Sequence, residues 1–279
     1  MRRTVATFVG LVLLIAGCAT WEPKPPPGFV AGTSVHHITV GGRDRSYRLY
    51  EPASMSGSAP LVVALHGFSG SARQAERSYG WDKLADSGKF VVAYPDGVGR
   101  GWNVDGEGCC GQPGREGVDD VAFISTAVAD ITRNVSINSA RVYATGMSNG
   151  GIMSYTLACT TDIFAAIGPV AGIQLNPCRT PHPMSVLHIH GTADRLVPYG
   201  GGQGFSVING PSVPNVNAFW RNVDQCGAPA AATDGAVTTS TAGCAEGRGV
   251  VLMTVEGGGH EWPFFATQRL WEFFASHPR

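Results

Sequence analysis

The sequence predicts a doubly wound α/β fold on a mostly parallel sheet, and three observations carry that expectation. Six short apolar runs recur along the chain: Leu61–His66, Phe90–Tyr94, Arg141–Thr145, Ala165–Val170, Val186–Ile189 and Gly249–Val255. They do not alternate with polar residues, which is the pattern of strands buried on both faces. Stretches with helical spacing separate them, as strand–helix alternation requires. Hydrophobic residues make up 43% of the 279 and charged residues 15%, against about 25% charged in an average domain. A chain of this kind can bury a large core and is not disordered.

The elements follow in order. Arg2 and Arg3 precede an apolar run, Val5–Ala16, too short for the ~20 residues of a membrane-spanning helix. The run ends Ile15-Ala16-Gly17-Cys18, which is similar to a lipoprotein cleavage site. Residues 1–17 therefore read as a signal peptide, with Cys18 as the lipidated first residue; the alternative is an ordinary secretory signal cut later. Either reading places the mature chain outside the cytoplasm. Residues 18–34 contain Pro23, Pro25, Pro26 and Pro27 and read as a semi-rigid tether. No interior linker divides residues 35–279, which are expected to form one domain. It opens with two antiparallel strands, Val35–Val40 and Ser46–Glu51, around Gly41-Gly42. Val118–Asn134 carries Val121, Ile124, Val128 and Ile131 on one helical stripe, with Asp119 or Asp120 at its start. Asn149–Ala158, Val216–Val223 and Pro263–Ala275 read as further helices. Two long loops remain: Asp96–Gly117, rich in glycine, and the stretch between Tyr199 and Asn215. Loops of this length in a compact domain are usually functional or pinned.

The net charge of −1 gives no electrostatic footprint for nucleic acid. Setting Cys18 aside, six of the seven cysteines remain, an even number that suggests disulfides in an oxidising compartment. Spacing suggests Cys159–Cys178 and Cys226–Cys244. Cys109 and Cys110 are left to pair as neighbours, or with others after a reshuffle. No C-x-x-C or H-x-x-x-H spacing supports zinc, so neither a metal nor a cofactor is expected.

Gly146-Met147-Ser148-Asn149-Gly150 carries the chemistry. A G-x-S-x-G placed after a strand and before a helix is a nucleophile elbow, a turn so sharp that the serine hydroxyl is lifted above the sheet. A hydroxyl needs a base, and on the α/β-hydrolase fold the order is serine, acid, histidine. Of the downstream histidines, His260 lies in a glycine-rich loop past Gly249–Val255, at the strand end where open α/β sheets build sites. His188 and His190 fall inside a strand pattern and read as buried structural residues; His182 and His277 lie in a Pro-rich loop and near the C-terminus. Asp194 is the only carboxylate between Asp162 and Asp224, which makes it the expected orienting acid. Asp119 and Asp120 precede Ser148 and suit capping better. An oxyanion hole needs backbone N–H donors; Asn149 supplies one. The other is expected from Phe68 in His66-Gly67-Phe68-Ser69-Gly70, with His66 as scaffold. Trp102 and Trp262 stand near these loops as candidate substrate-stacking residues, with packing as the equal alternative.

Eight stretches together resemble a known family: H-G-F-S-G at 66–70, Y-P-D-G at 94–97, G-W-N at 101–103, C-C-G at 109–111, V-D-D-V-A-F-I at 118–124, G-M-S-N-G-G at 146–151, H-G-T-A-D at 190–194 and G-G-G-H-E-W-P at 257–263. The chain is similar to exported esterases of the poly(3-hydroxybutyrate) depolymerase and feruloyl or acetylxylan esterase group. The resemblance implies Ser148, Asp194 and His260 as a triad. It implies hydrolysis of carboxylic esters, small or oligomeric, without a cofactor, with membrane association only through Cys18. The rival expectations are a serine peptidase on the same fold and a non-catalytic envelope binding protein.

Overall fold

The computed structural model describes residues 30–104, 110–205 and 208–279. The signal peptide, Cys18, most of the tether and Cys109 lie outside the described residues. Strands β1 (Gly32–Val40) and β2 (Arg43–Glu51) form the expected hairpin around Gly41-Gly42. The central strands are β3 (Ala59–Leu65), β4 (Val91–Pro95), β5 (Ile137–Met147), β6 (Ala166–Val170) and β7 (Ser185–Gly191). A two-residue pair, β8 (Gly202–Gln203) and β9 (Asn209–Gly210), closes the long loop after β7. The last three strands are β10 (Ala230–Asp234), β11 (Val237–Gly243) and β12 (Gly249–Val255). All except β8 and β9 belong to one sheet, in the order β1-β2-β4-β3-β5-β6-β7-β12-β11-β10. Its centre, β4 to β12, is parallel; both margins are antiparallel.

The apolar runs are continuous because both faces of the sheet are covered. Along β3, Leu61, Val63 and Leu65 enter one core and Val62 and Ala64 the other. The first core is closed by α4 (Asp120–Asn134), α5 (Asn149–Thr160) and α6 (Val213–Val223), through Phe123, Ile131, Tyr155 and Trp220. The second is closed by α1 (Ala72–Ser78), α2 (Trp81–Gly88) and α7 (Ala266–Ser276), through Ala75, Trp81 and Phe274. A single-turn α3 (Gln112–Arg115) interrupts the first glycine-rich loop.

Asp119 and Asp120 divide their labour at the start of α4. Asp119 is the N-cap, its Oδ1 accepting from the Ala122 N–H at 2.8 Å. Asp120 is fully buried and accepts from the Arg45 guanidinium at 2.7 Å and the Asn103 N–H at 2.8 Å. Arg45 in turn lies 3.8 Å from the centre of the Phe123 ring. One ion pair thus ties β2 and α4 to the Gly-Trp-Asn loop. Cys159–Cys178 and Cys226–Cys244 are bonded as their spacing suggests. Sequence separations of 19 and 18 residues correspond to about 3 kcal/mol each on the loop-closure model. Cys110 is also disulfide-bonded. Among the described residues no helix is long and apolar enough to cross a membrane.

Candidate active site

Strand β5 ends at Met147 and α5 begins at Asn149, so Ser148 makes the whole turn between them. Its backbone sits at φ +56°, ψ −121°, a conformation that costs a non-glycine residue of order 1–3 kcal/mol and persists only when the surroundings enforce it. Here they do. A Cβ on Gly150 would meet the Leu65 carbonyl oxygen at 2.4 Å, and one on Gly146 would meet the Gly150 carbonyl carbon at 2.5 Å. The Ser148 N–H donates to the Val170 carbonyl at 2.8 Å. Strands β3, β5 and β6 therefore hold the elbow by direct backbone contact.

The loop after β3 faces this turn. His66 is buried and neutral: its Nε2 accepts from the Gly97 N–H at 3.0 Å, so the proton on Nδ1 goes to the Gly67 carbonyl at 2.8 Å. Burial lowers its pKa from the ordinary imidazole value, against smaller raising contributions from Gly67 and Asp96. Trp102 donates its indole N–H to the His66 carbonyl at 2.8 Å. Asn149 grips the Trp102 backbone from the other side, accepting from its N–H at 2.7 Å and donating to its carbonyl at 3.1 Å. The backbone N–H groups of Phe68 and Asn149 have no hydrogen-bond acceptor among the described residues, and both residues line the cleft beside Ser148.

Asp194 follows β7 and His260 follows β12, neighbouring parallel strands. His260 Nδ1 lies 2.8 Å from Asp194 Oδ2. Asp194 Oδ1 accepts from the Leu196 and Val197 N–H groups, each at 2.9 Å. Burial alone would raise the Asp194 pKa, but hydrogen bonds from His190, His260 and the Val197 N–H overturn it and hold the carboxyl well below the usual range. The carboxylate is therefore an anion that accepts the His260 Nδ1 proton and leaves the Nε2 lone pair free. Ser148 and His260 line one cleft of about 840 Å³. Its walls are largely apolar, from Phe68, Tyr79, Met147, Leu196 and Ile208, with Gln74 and Arg115 among its polar members.

The two tryptophans are placed otherwise than as substrate contacts. Trp102 is fully buried, its indole tilted against His66 at 4.7 Å and its N–H occupied. Trp262 stands behind Tyr79 at 4.2 Å, in a parallel stack, and donates to Thr267 Oγ1. Tyr79 is the ring that faces the cleft; at the end of α1, a short helix, it carries no pattern that singles it out. His182 is exposed, and neither it nor His277 lines the cleft; His188 and His190 are buried. Among the described residues no cluster of His, Cys, Asp or Glu could hold a metal ion.

A mostly parallel sheet with Ser148 at the β5–α5 turn and a hydrogen-bonded Asp194–His260 pair at the ends of β7 and β12 is an α/β-hydrolase fold. The chain belongs to the Esterase PHB depolymerase family, whose model matches residues 45–199. It is 35% identical to the putative esterase NocK of Nocardia uniformis subsp. tsuyamanensis, over 84% of this chain and 75% of that protein. Feruloyl esterase B of Piromyces equi is 32% identical over 75% of this chain, which spans 41% of that relative's length. Poly(3-hydroxyalkanoate) depolymerase C of Paucimonas lemoignei is 34% identical over 72% of this chain, which spans 50% of it. The acetyl xylan esterase of Aspergillus awamori has the same fold, with a TM-score of 0.66 over 87% of this chain and 99% of that one at 16% identity. The protein is thus a carboxylic ester hydrolase.

Proposed function

We propose that the protein is an exported serine esterase in which Ser148 is the nucleophile, His260 the general base and acid, and Asp194 the residue that orients His260. One observation carries the reading: Ser148 and His260 share a cleft while His260 Nδ1 is hydrogen-bonded to Asp194. Ser148 Oγ attacks the ester carbonyl carbon and its proton passes to His260 Nε2. The carbonyl π electrons move onto oxygen, which accepts from the Phe68 and Asn149 N–H groups. Collapse expels the alcohol, which takes the proton from His260, and leaves an acyl-Ser148 ester. Water then repeats the sequence, losing its proton to His260 and releasing the acid.

The apolar cleft suits acyl groups with substantial hydrophobic surface, which supports feruloyl or short hydroxyalkanoate esters alongside acetyl esters. Disulfides fit an oxidising compartment, and we assign the chain to the cell envelope through a lipid on Cys18, behind a tether at 18–34 and a catalytic domain at 35–279. Ser148→Ala is expected to abolish both p-nitrophenyl acetate hydrolysis and labelling by a fluorophosphonate, while circular dichroism and melting stay as in the wild type. Activity near wild type in that variant removes Ser148 from the mechanism.

A further inference from the structure

Beneath Asp194 lies a chain of buried polar side chains that the proposed reaction does not use. His190 Nε2 is 2.9 Å from the Val197 carbonyl oxygen and 3.3 Å from Asp194 Oδ2. His190 Nδ1 is 3.0 Å from His188 Nε2, and His188 Nδ1 is 2.9 Å from the Tyr155 hydroxyl. All three side chains are almost completely buried. Their proton positions follow from the far end. A carbonyl and an ionised carboxylate only accept, so His190 Nε2 carries the hydrogen. A ring carrying that single hydrogen offers a lone pair at Nδ1, which His188 fills by donating from Nε2. His188 in turn offers a lone pair at Nδ1, which the Tyr155 O–H fills. Burial and the neighbouring His190 keep His188 neutral, and burial keeps Tyr155 protonated. Every donor along the chain points towards Asp194.

We propose that Tyr155, His188 and His190 form a one-way hydrogen-bond relay that fixes the position of Asp194 and limits how strongly its Oδ2 binds the His260 proton. The three are positioning residues, and the inference rests on the triad proposed above. Asp194 Oδ2 is shared between two N–H donors, His260 at 2.8 Å and His190 at 3.3 Å. The His190 bond withdraws charge from the oxygen that stabilises imidazolium. Losing it leaves a more basic carboxylate, which holds His260 protonated to higher pH. Besides Asp194, the described groups packed against the relay are uncharged, a Gly172 backbone group at His188 among them. The Tyr199 ring faces His190 and its hydroxyl is occupied by Thr254 of β12, while Trp220 of α6 stacks on Tyr155.

The test compares His190→Leu, His190→Gln and Tyr155→Phe in the full chain, with p-nitrophenyl acetate as substrate. His190→Leu removes the donor. Its kcat is expected to fall on the order of tenfold, the weight of one charge-assisted hydrogen bond, with KM within about twofold. The acid limb of kcat/KM should move to higher pH by about half a unit or more. His190→Gln places an amide N–H where Nε2 stood and should restore most of both. Tyr155→Phe keeps the ring against Trp220 but leaves His188 Nδ1 without its donor. The Val197 carbonyl and Asp194 still fix the hydrogen on His190 Nε2, but the chain has lost the donor that polarises it, so His190 donates less strongly and the acid limb should move the same way by less. If His190→Leu is too unstable to assay, Tyr155→Phe and His190→Gln decide alone. An unmoved acid limb in Tyr155→Phe overturns the relay, as does lost kcat in His190→Leu with no pH shift and no rescue by glutamine. Asp194→Asn separates the two ideas: wild-type activity there means the triad itself is wrong, whatever the relay variants show.

Discussion

Around Ser148 backbone packs on backbone at both flanking glycines, whereas the His260 loop is packed that way on its Gly191 side, where a Cβ would stand 2.2 Å from the Gly258 carbonyl oxygen, and is open at Gly259, next to the histidine. The elbow is confined by the Leu65, His66 and Gly150 carbonyls, each under 3 Å from where a Cβ on one of its glycines would stand. The histidine loop is fastened by a few hydrogen bonds, Gly257 N–H to Thr192 Oγ1 at 2.8 Å and Ala193 N–H to the Gly258 carbonyl at 2.9 Å among them. A Cβ on Gly259 would meet nothing within 4 Å. The difference matches the work of each half. In the proposed reaction the nucleophile and the oxyanion donors must already be in place when charge develops, because preorganised dipoles cost no rearrangement during reaction. The imidazole must serve first the serine and then the leaving alcohol, and a ring held at one nitrogen keeps that freedom.

The sharpest way to break this contrast is one methyl group on each side. Gly150→Ala puts a Cβ 2.4 Å from the Leu65 carbonyl and 2.7 Å from that of His66. Strand β3 cannot retreat without dismantling the sheet centre, so the variant is expected to lose about 3 kcal/mol or more together with its activity. Gly259→Ala, next to the base, meets open space and should melt within about 0.5 kcal/mol of the wild type. Thermal denaturation of the pair reads both numbers. Equal losses would remove the distinction between the halves.

Asn149 tests the same half through hydrogen bonds instead of contact. Its side chain satisfies both the N–H and the carbonyl of Trp102, deep in the core. Asn149→Ala leaves both groups unpaired, at about 1–3 kcal/mol each. It also frees Trp102, whose indole holds the His66 carbonyl and with it the oxyanion loop. Melting should fall by several degrees and kcat should drop more than KM rises. Asn149→Asp, which can still accept from the Trp102 N–H, should lie between.

The same division explains what could be read from the sequence. The nucleophile half is written locally: G-x-S-x-G after an apolar run states the turn and the reason for it. The contact between Asp194 and His260 was legible through chain order and strand ends. Trp102 and Trp262 were not, because proximity in sequence to a catalytic loop does not say which way an indole points. Trp102 turns inward to bond the His66 carbonyl, and Trp262 backs Tyr79. The relay was half legible, as two buried histidines on β7, but its third member sits on α5, 33 residues away from His188. The sheet's far margin was missed for a different reason. Strand β10 reads Ala-Ala-Ala-Thr-Asp and is exposed throughout, and β11 is mostly Thr, Ser and Gly. An edge hairpin with no face to bury leaves no hydrophobic period to find. Helices α1 and α2 span 7 and 8 residues, too short to show more than one or two inward positions.

The smallest expected effect is a difference in pH dependence. The ties around Ser148 are bonds between uncharged groups, indifferent to moderate acid. His260 itself is held by Asp194, a carboxylate whose folded pKa lies well below its unfolded value. Such a group stabilises the fold fully above the ordinary aspartate range near pH 4 and loses that contribution as pH falls towards its folded pKa. It adds to the acid loss of stability with a slope of at most about 1.4 kcal/mol per pH unit. Asp194→Asn carries no such titration. It should be less stable than the wild type at pH 7, since an amide cannot accept four N–H groups, and the gap should narrow steadily below pH 4. Melting temperatures from pH 7 to pH 3 measure it, and parallel curves would mean that Asp194 is no better held in the folded chain than in the unfolded one.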